Sequence, residues 1–178
     1  MFRKILIYGV IAGLVVGLPL FGMTVGKIGN PPPPYDVILG YTIMLVALSA
    51  VFAGIKRHRD HDLGGVIGFW RALGLGLGIS IVAGIFYVAA WEAALAVTHM
   101  DFGADYARAI IAEQKAKGVT GAALVRVIAQ MRDFQTKYAN PLYRYSTSFT
   151  EIFPVGVLVS LVSAGLLCNS RFLPVRRA

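Results

Sequence analysis

Two glutamates, Glu92 and Glu151, lie within or beside long apolar segments of the sequence. Burying a charge in hydrocarbon is costly, so an ionisable residue at membrane depth is a functional candidate by default. If the two carboxylates meet, they can share a proton or bind a cation. The alternative is that both lie at the membrane surface, where Glu151 caps a helix and Glu92 reaches water or pairs with Arg144 or His99.

A second candidate site is the charged run at residues 56–62, KRHRDHD. Its His58, His61 and Asp62 are ligand types that bind zinc and other divalent ions. The lysine and the two arginines of the same run repel a cation, and no further ligand follows at the spacing of a metal motif. We therefore expect a solvated, positively charged loop that holds neither a metal ion nor a cofactor.

Motifs of enzymatic catalysis are missing from the sequence. It contains no Gly-x-Ser-x-Gly, no phosphate-binding Walker loop and no His-Glu-x-x-His. The single cysteine, Cys168, excludes an internal disulfide. We therefore predict that the protein is not an enzyme.

The overall composition indicates a membrane protein. Of 178 residues, 57% are hydrophobic and 15% are charged, and the mean hydropathy is +0.68. A soluble domain usually carries about 25% charged residues. The net charge of +8 does not indicate a nucleic-acid partner, because many of the basic residues gather at the ends of apolar segments rather than on a face with interleaved aromatic residues. Membrane lipid is the partner that this pattern predicts.

Four apolar segments are predicted to cross the membrane as helices, at about residues 5–26, 37–55, 72–98 and 149–167. A bilayer requires roughly 20 apolar residues in a spanning helix. In the first segment, glycines recur every fourth residue, which lets a neighbouring helix approach closely. Residues 27–35 hold four consecutive prolines and predict a short, stiff polyproline linker. The whole chain, residues 1–178, forms one membrane domain in this prediction.

The polar stretch at residues 99–147 is predicted to form a helical hairpin. In its second half, apolar residues recur with a helical period, at Leu124, Val127, Ile128, Met131 and Phe134. This face could pack on the ends of the bundle, lie on the membrane surface or contact a partner. The predicted fold class is an all-α membrane protein with four transmembrane helices and an extracytoplasmic hairpin between spans 3 and 4.

The distribution of basic residues predicts the orientation. Short cytoplasmic loops carry an excess of Lys and Arg. Arg3 and Lys4, the predicted loop at 56–71 and the C-terminal tail are rich in them, whereas the short proline linker holds only Lys27. We therefore expect both termini in the cytoplasm and the hairpin on the opposite side.

One sequence pattern resembles a known family. Residues 54–60 (GIKRHRD), residues 63–65 (LGG) and Phe69 are similar to a motif of the bacterial domain-of-unknown-function 4199 family. Residues 138–143 (YANPLY) and 150–156 (TEIFPVG) are similar to a subset with a long outer segment. The resemblance implies a four-helix integral protein of a bacterial inner membrane. It implies no activity, so the motif positions carry no assigned role: Lys56, Arg59, Asp60, Gly64, Gly65 and Phe69.

A structural role for this motif is nevertheless expected. Arg59 and Asp60 are predicted to pair with neighbours at the cytoplasmic ends of spans 2 and 3. Gly64 and Gly65 would let the chain turn back, and Phe69 with its neighbour Trp70 would anchor the third span at the interface.

The first functional hypothesis is a non-enzymatic accessory or interaction subunit that forms a homo-oligomer or binds a membrane-protein partner through the hairpin. The alternative is a small ion-coupled transporter or a lipid-binding membrane protein that uses Glu92 and Glu151.

Overall fold

The computed structural model describes residues 1–26 and 36–174, so the predicted proline linker and the last four residues lie outside the described part. The described residues form helices and no strands, as predicted. The helices are α1 (Phe2–Gly26), α2 (Asp36–Asp62), α3 (Phe69–Thr98), α4 (Phe102–Ala116), α5 (Gly121–Tyr138) and α6 (Pro141–Leu167).

Four of these helices, α1, α2, α3 and α6, are long and apolar enough to cross a membrane. This confirms the four predicted spans as candidate membrane helices. Helix α3 packs against both α1 and α6, and α2 also contacts these two helices. The side chains of Leu48, Val51, Ile55, Leu75 and Ile79 are fully buried between them. The four long helices therefore form one bundle.

Glycines allow α1 to approach α3 closely. A Cβ atom at Gly9 would lie 2.5 Å from Val82 Cβ, and a Cβ atom at Gly13 would lie 2.5 Å from Phe86 Cβ. Helices in lipid gain stability from such close packing, because no hydrophobic force drives them together there. The predicted role of these glycines is confirmed.

The predicted loop from Lys56 to Arg71 is wrong over most of its length. Helix α2 continues to Asp62 and α3 begins at Phe69, so only residues 63–68 connect them. Within the charged run, Lys56 bonds Asp60 and His58 bonds Asp62. Because residues four apart lie on the same helix face, such pairs favour the helix beyond the end of the apolar segment.

The turn between α2 and α3 depends on glycine. Gly64 and Gly65 have φ angles of 65° and 96°, which glycine adopts without the steric cost that a Cβ atom brings. The predicted reversal of the chain at this pair is confirmed.

The predicted hairpin is present between α3 and α6. Helices α4 and α5 pack against each other, and the rings of Tyr106 and Phe134 lie 5.3 Å apart. Asn140 caps α6 by accepting a hydrogen bond from the Leu142 N–H. The alternative in which Glu151 caps a helix is wrong, because α6 has already begun at Pro141 and Glu151 lies inside it.

Candidate functional site

A cavity of about 320 Å³ lies where the hairpin meets the bundle. We call this end of the bundle the hairpin end, and the opposite end, with the α2–α3 turn, the turn end. Five helices contribute to the cavity walls. The lining residues are Leu20, Tyr87, Trp91, Phe102, Tyr106, Phe134, Tyr138, Thr147, Ser148 and Glu151. The volume is within the range of about 300–1,000 Å³ that is typical of small-molecule sites.

Trp91 links the hairpin to the bundle. Its indole Nε1–H donates a hydrogen bond of 2.8 Å to the hydroxyl oxygen of Tyr138 on α5. Its ring also contacts Phe102 on α4 edge to face, with the ring centroids 5.0 Å apart. A single residue of α3 therefore holds both helices of the hairpin.

Aromatic rings form most of the cavity wall. The centroids of Phe102 and Tyr138 are 5.2 Å apart, and those of Phe134 and Tyr138 are 5.3 Å apart. Such pairs are worth about 0.5–1.5 kcal/mol beyond the area that they bury. Burial raises the pKa of the Tyr138 hydroxyl to about 12, so this phenol stays neutral at physiological pH.

Among the described residues, Glu151 is the only acidic one that lines the cavity. Its carboxylate Oε2 accepts a hydrogen bond of 2.8 Å from the hydroxyl of Tyr87, and Tyr87 itself is buried. Among the described residues, none of the observed ion pairs includes Glu151. The cavity thus holds a carboxylate that a neutral side chain positions and that no described cation neutralises.

Glu92 has a different environment. The Nε and Nη2 atoms of Arg144 donate to its two carboxylate oxygens, each at 2.5 Å. This bidentate geometry is a strong form of ion pair, and it joins α3 to α6. Glu92 is not among the residues that line the cavity. The structure therefore gives the two glutamates separate partners, and Arg144 is one of the two partners considered for Glu92.

At the turn end, Arg59 is fully buried. Its Nη1 and Nη2 atoms donate to the backbone carbonyls of Phe172 and Leu173 at 2.8 and 2.6 Å, and its Nε donates to Asp60 at 2.7 Å. The pairing of Asp60 with its neighbours was expected. The contact between Arg59 and the segment that follows α6 was not predicted. Because this contact buries Arg59, the prediction that residues 56–62 form a solvated loop is wrong for this residue.

The residues considered as metal ligands, His58, His61 and Asp62, do not form a common site. Asp62 bonds both Lys4 Nζ at 2.6 Å and His58 Nδ1 at 2.7 Å. His58 is buried, whereas His61 is exposed. No group of three or more metal-ligating side chains occurs in the residues that the structure describes.

The remaining motif residues lie around the turn. Lys56 pairs with Asp60 at 2.5 Å. Phe69 packs against the buried core, whereas 80% of Trp70 is exposed. An exposed tryptophan at the end of a long apolar helix suits the membrane interface, and the anchoring of Phe69 and Trp70 there stays a prediction.

The sequence interpretation missed the aromatic cavity. It did not connect Tyr87 and Trp91 with the hairpin. A signal was available, because aromatic residues four apart occur on three successive helices. These pairs are Tyr87 and Trp91, Phe102 and Tyr106, and Phe134 and Tyr138. Residues at this spacing share a helix face, so the three faces could have been expected to meet.

Comparison with known proteins gives a family but no functional precedent. No curated protein and no solved structure matches the chain. The model of a family described as protein of unknown function, DUF4199, matches residues 7–169. This match covers most of the chain and includes the charged run, the glycine turn and the helices that form the cavity. The protein therefore belongs to the DUF4199 family.

Proposed function

We propose that this protein is a non-enzymatic membrane protein that binds an amphiphilic ligand in the cavity at the hairpin end. The observation that carries this proposal is the composition of the cavity wall. Aromatic and aliphatic side chains form most of it, and Glu151 with the hydroxyls of Thr147 and Ser148 supplies a few polar groups. Ligand sites have this character, in which apolar walls give affinity and a few polar groups fix orientation.

The position of the cavity favours an amphiphile over a fully polar ligand. Its walls join two candidate membrane helices, α3 and α6, to the more polar hairpin. A ligand at this junction can keep an apolar tail beside the spans and a polar head beside the hairpin. This position favours lipid binding. Ion-coupled transport by the two glutamates is less well supported, because Glu92 is paired with Arg144 and Glu151 alone of the two lines the cavity.

We also propose a cellular location and an orientation in the membrane. We place the protein in a bacterial inner membrane as a multi-pass protein, with both termini in the cytoplasm and the hairpin outside. The excess of basic residues near the chain ends and the α2–α3 turn supports this orientation. The contact of Lys4 with Asp62 and that of Arg59 with Phe172 bring these basic segments to one end of the bundle.

An accessory or interaction role is a second proposal. Helix α1 has exposed apolar residues at helical spacing, Ile7, Ile11, Leu14 and Leu18, and none of the described residues covers them. A second copy of the chain or a partner membrane protein could occupy this face in place of lipid. Crosslinking in native membranes that yields only monomer would exclude this role.

Intrinsic fluorescence provides a test of the ligand site. The chain has two tryptophans, Trp70 and Trp91, and only Trp91 lines the cavity. In full-length Trp70→Phe protein in phospholipid vesicles, which contribute no tryptophan, the tryptophan emission therefore comes from Trp91 in the cavity wall. We expect at least one of three six-carbon amphiphiles to change it saturably: hexyltrimethylammonium, hexyl glucoside or hexanoate.

Two threonine variants separate cavity binding from partitioning into the bilayer. Thr147 lines the cavity and Thr136 does not, although each hydroxyl donates to the carbonyl four residues earlier. Thr147→Phe should fill the cavity and abolish the saturable change, whereas Thr136→Phe should retain it. If none of the probes gives a saturable signal that Thr147→Phe removes, the proposed function is wrong.

A further inference from the structure

We propose that the cavity selects an organic ammonium cation, the charged head of an amphiphile, and that Glu151 and the surrounding aromatic rings recognise it. This inference rests on the proposed function, because it specifies the chemistry of the ligand for the same cavity. It assigns a site and a ligand class to residues for which the family gives no role.

The first argument is the charge of the cavity wall. Lys137, which neighbours the lining residue Tyr138, and Arg144, which lies three residues before Thr147, are each paired with a carboxylate, Asp133 and Glu92 respectively. Each pair is neutral overall. Glu151 is the only charged residue among the described residues that line the cavity, so a cationic ligand would complement it.

The second argument is the free acceptor on Glu151. Tyr87 donates to Oε2, while Oε1 accepts no hydrogen bond from a described residue. Tyr87 thus fixes the direction of the carboxylate and leaves one oxygen for a ligand. A cation beside that oxygen gains a charge-assisted contact, which is stronger than a contact between neutral groups.

The third argument is the aromatic wall. The faces of tryptophan, tyrosine and phenylalanine attract cations, and aromatic cages recognise quaternary ammonium groups in this way. Trp91, Phe102, Tyr106, Phe134 and Tyr138 all line the cavity with Glu151. The apolar methyl or methylene groups of an ammonium ion contact such rings without losing strong hydrogen bonds to water.

Other ligand classes fit less well. An anionic head would be repelled by Glu151. A metal ion requires several oxygen ligands at short range, and Glu151 is the only carboxylate among the lining residues that the structure describes. An uncharged head would leave the carboxylate without a complementary charge.

The decisive experiment compares probes that share one tail. In the full-length Trp70→Phe protein, we expect hexyltrimethylammonium to bind at least about tenfold more tightly than hexyl glucoside, as judged by Trp91 emission. Glu151→Gln should reduce this preference to less than about threefold by weakening binding of the cation alone. Glu113→Gln is the matched control, because Glu113 lies on the hairpin surface and pairs with Lys117.

A second variant keeps the inference testable if Glu151→Gln does not fold. Tyr106 lines the cavity and is 41% exposed, so its replacement should be tolerated. Tyr106→Leu removes one aromatic face and should weaken hexyltrimethylammonium about threefold, while binding of hexyl glucoside stays unchanged. Equal weakening of both probes would overturn the role of the rings in cation recognition.

The outcomes distinguish the proposal of an amphiphile site from the inference that its ligand is an ammonium cation. If hexyl glucoside or hexanoate binds as tightly as the cation, the amphiphile site stands and the ammonium inference is wrong. If tetramethylammonium, which has no tail, binds as tightly as hexyltrimethylammonium, the site takes a water-soluble cation, so the ammonium inference stands and the amphiphile proposal is wrong. If no probe binds, both are wrong.

Discussion

Arg59 has the most demanding environment of any charged residue that the structure describes. Its side chain is fully buried, and removing a charge from water is costly unless the charge is paired and hydrogen bonded. Asp60 supplies the opposite charge, and two carbonyls of the segment after α6 accept from the guanidinium group. Arg59 thereby fastens this segment to the end of α2.

We predict that Arg59→Lys destabilises the protein. An ammonium group on a flexible stem cannot reproduce the planar fork that reaches Asp60, Phe172 and Leu173 together. Loss of one or two of these bonds should lower the free energy of unfolding by roughly 1–3 kcal/mol. Thermal unfolding in detergent would measure the change.

Arg57→Lys is the control for this prediction, because Arg57 is exposed in the same helix. Its thermal stability should remain close to that of the unmodified chain. Equal midpoints of thermal unfolding for Arg59→Lys and Arg57→Lys would show that the hydrogen bonds of the Arg59 guanidinium group do not stabilise the fold.

The sequence predicted only part of what these residues do. Lys56 and Asp60 are four residues apart, so their pairing follows from the geometry of a helix. Arg59 could not be connected with Phe172, because the contact depends on where α6 ends and how the chain continues. Glu92 and Arg144 show the same limit, since several partners were possible and only packing of α3 against α6 selects one.

At the scale of the elements, glycines determine how closely α1 and α3 pack. A Cβ atom at Gly13 would lie within 2.5 Å of Phe86, whereas one at Gly22 would have no neighbour within 4 Å. Both glycines belong to the same helix. They therefore form a matched pair in which only one position has a packing role.

We predict that Gly13→Ala destabilises the bundle and that Gly22→Ala does not. The added methyl group at position 13 must displace Phe86 or separate the helices, and overpacking of this kind costs about 1–3 kcal/mol. At position 22, alanine should be neutral or slightly stabilising because it favours helix. Thermal unfolding in detergent would compare the two, and a lower midpoint for Gly22→Ala than for Gly13→Ala would contradict the prediction.

Hydropathy predicted the number of long helices but not where they end. It ended the second helix at Ile55, whereas α2 continues to Asp62, because a helix can leave the apolar layer when its side chains pair along one face. The fourth long helix likewise begins at Pro141, before its apolar part. The cavity was harder to predict still, since five helices must meet to form it.

At the scale of the whole molecule, the two ends of the bundle differ in chemistry. Ion pairs and carbonyl contacts occupy the turn end, where Lys4 meets Asp62 and Arg59 meets the segment after α6. An aromatic cavity with one carboxylate among its described lining residues occupies the hairpin end. The orientation of the protein therefore decides which side of the membrane has access to the cavity.

Cysteine labelling in intact cells can determine this orientation. The native Cys168 is exposed at the end of α6, and Lys117 is exposed at the hairpin turn. With the hairpin outside, a membrane-impermeant maleimide should label a Lys117→Cys, Cys168→Ser variant in intact cells. Native Cys168 should be labelled only after the cells are permeabilised, because it would face the cytoplasm. Cys168→Ser alone, which has no cysteine, gives the background.

The reverse labelling pattern would contradict the predicted orientation and would alter the ligand proposal in a specific way. The cavity would then lie at the cytoplasmic face, and its ammonium ligand would have to arrive from the inner leaflet or the cytoplasm. The geometry of Glu151 and the aromatic wall would be unchanged, so binding to purified protein would not reveal the difference. Labelling is therefore needed to place the site, and the fluorescence titration is needed to identify its ligand class.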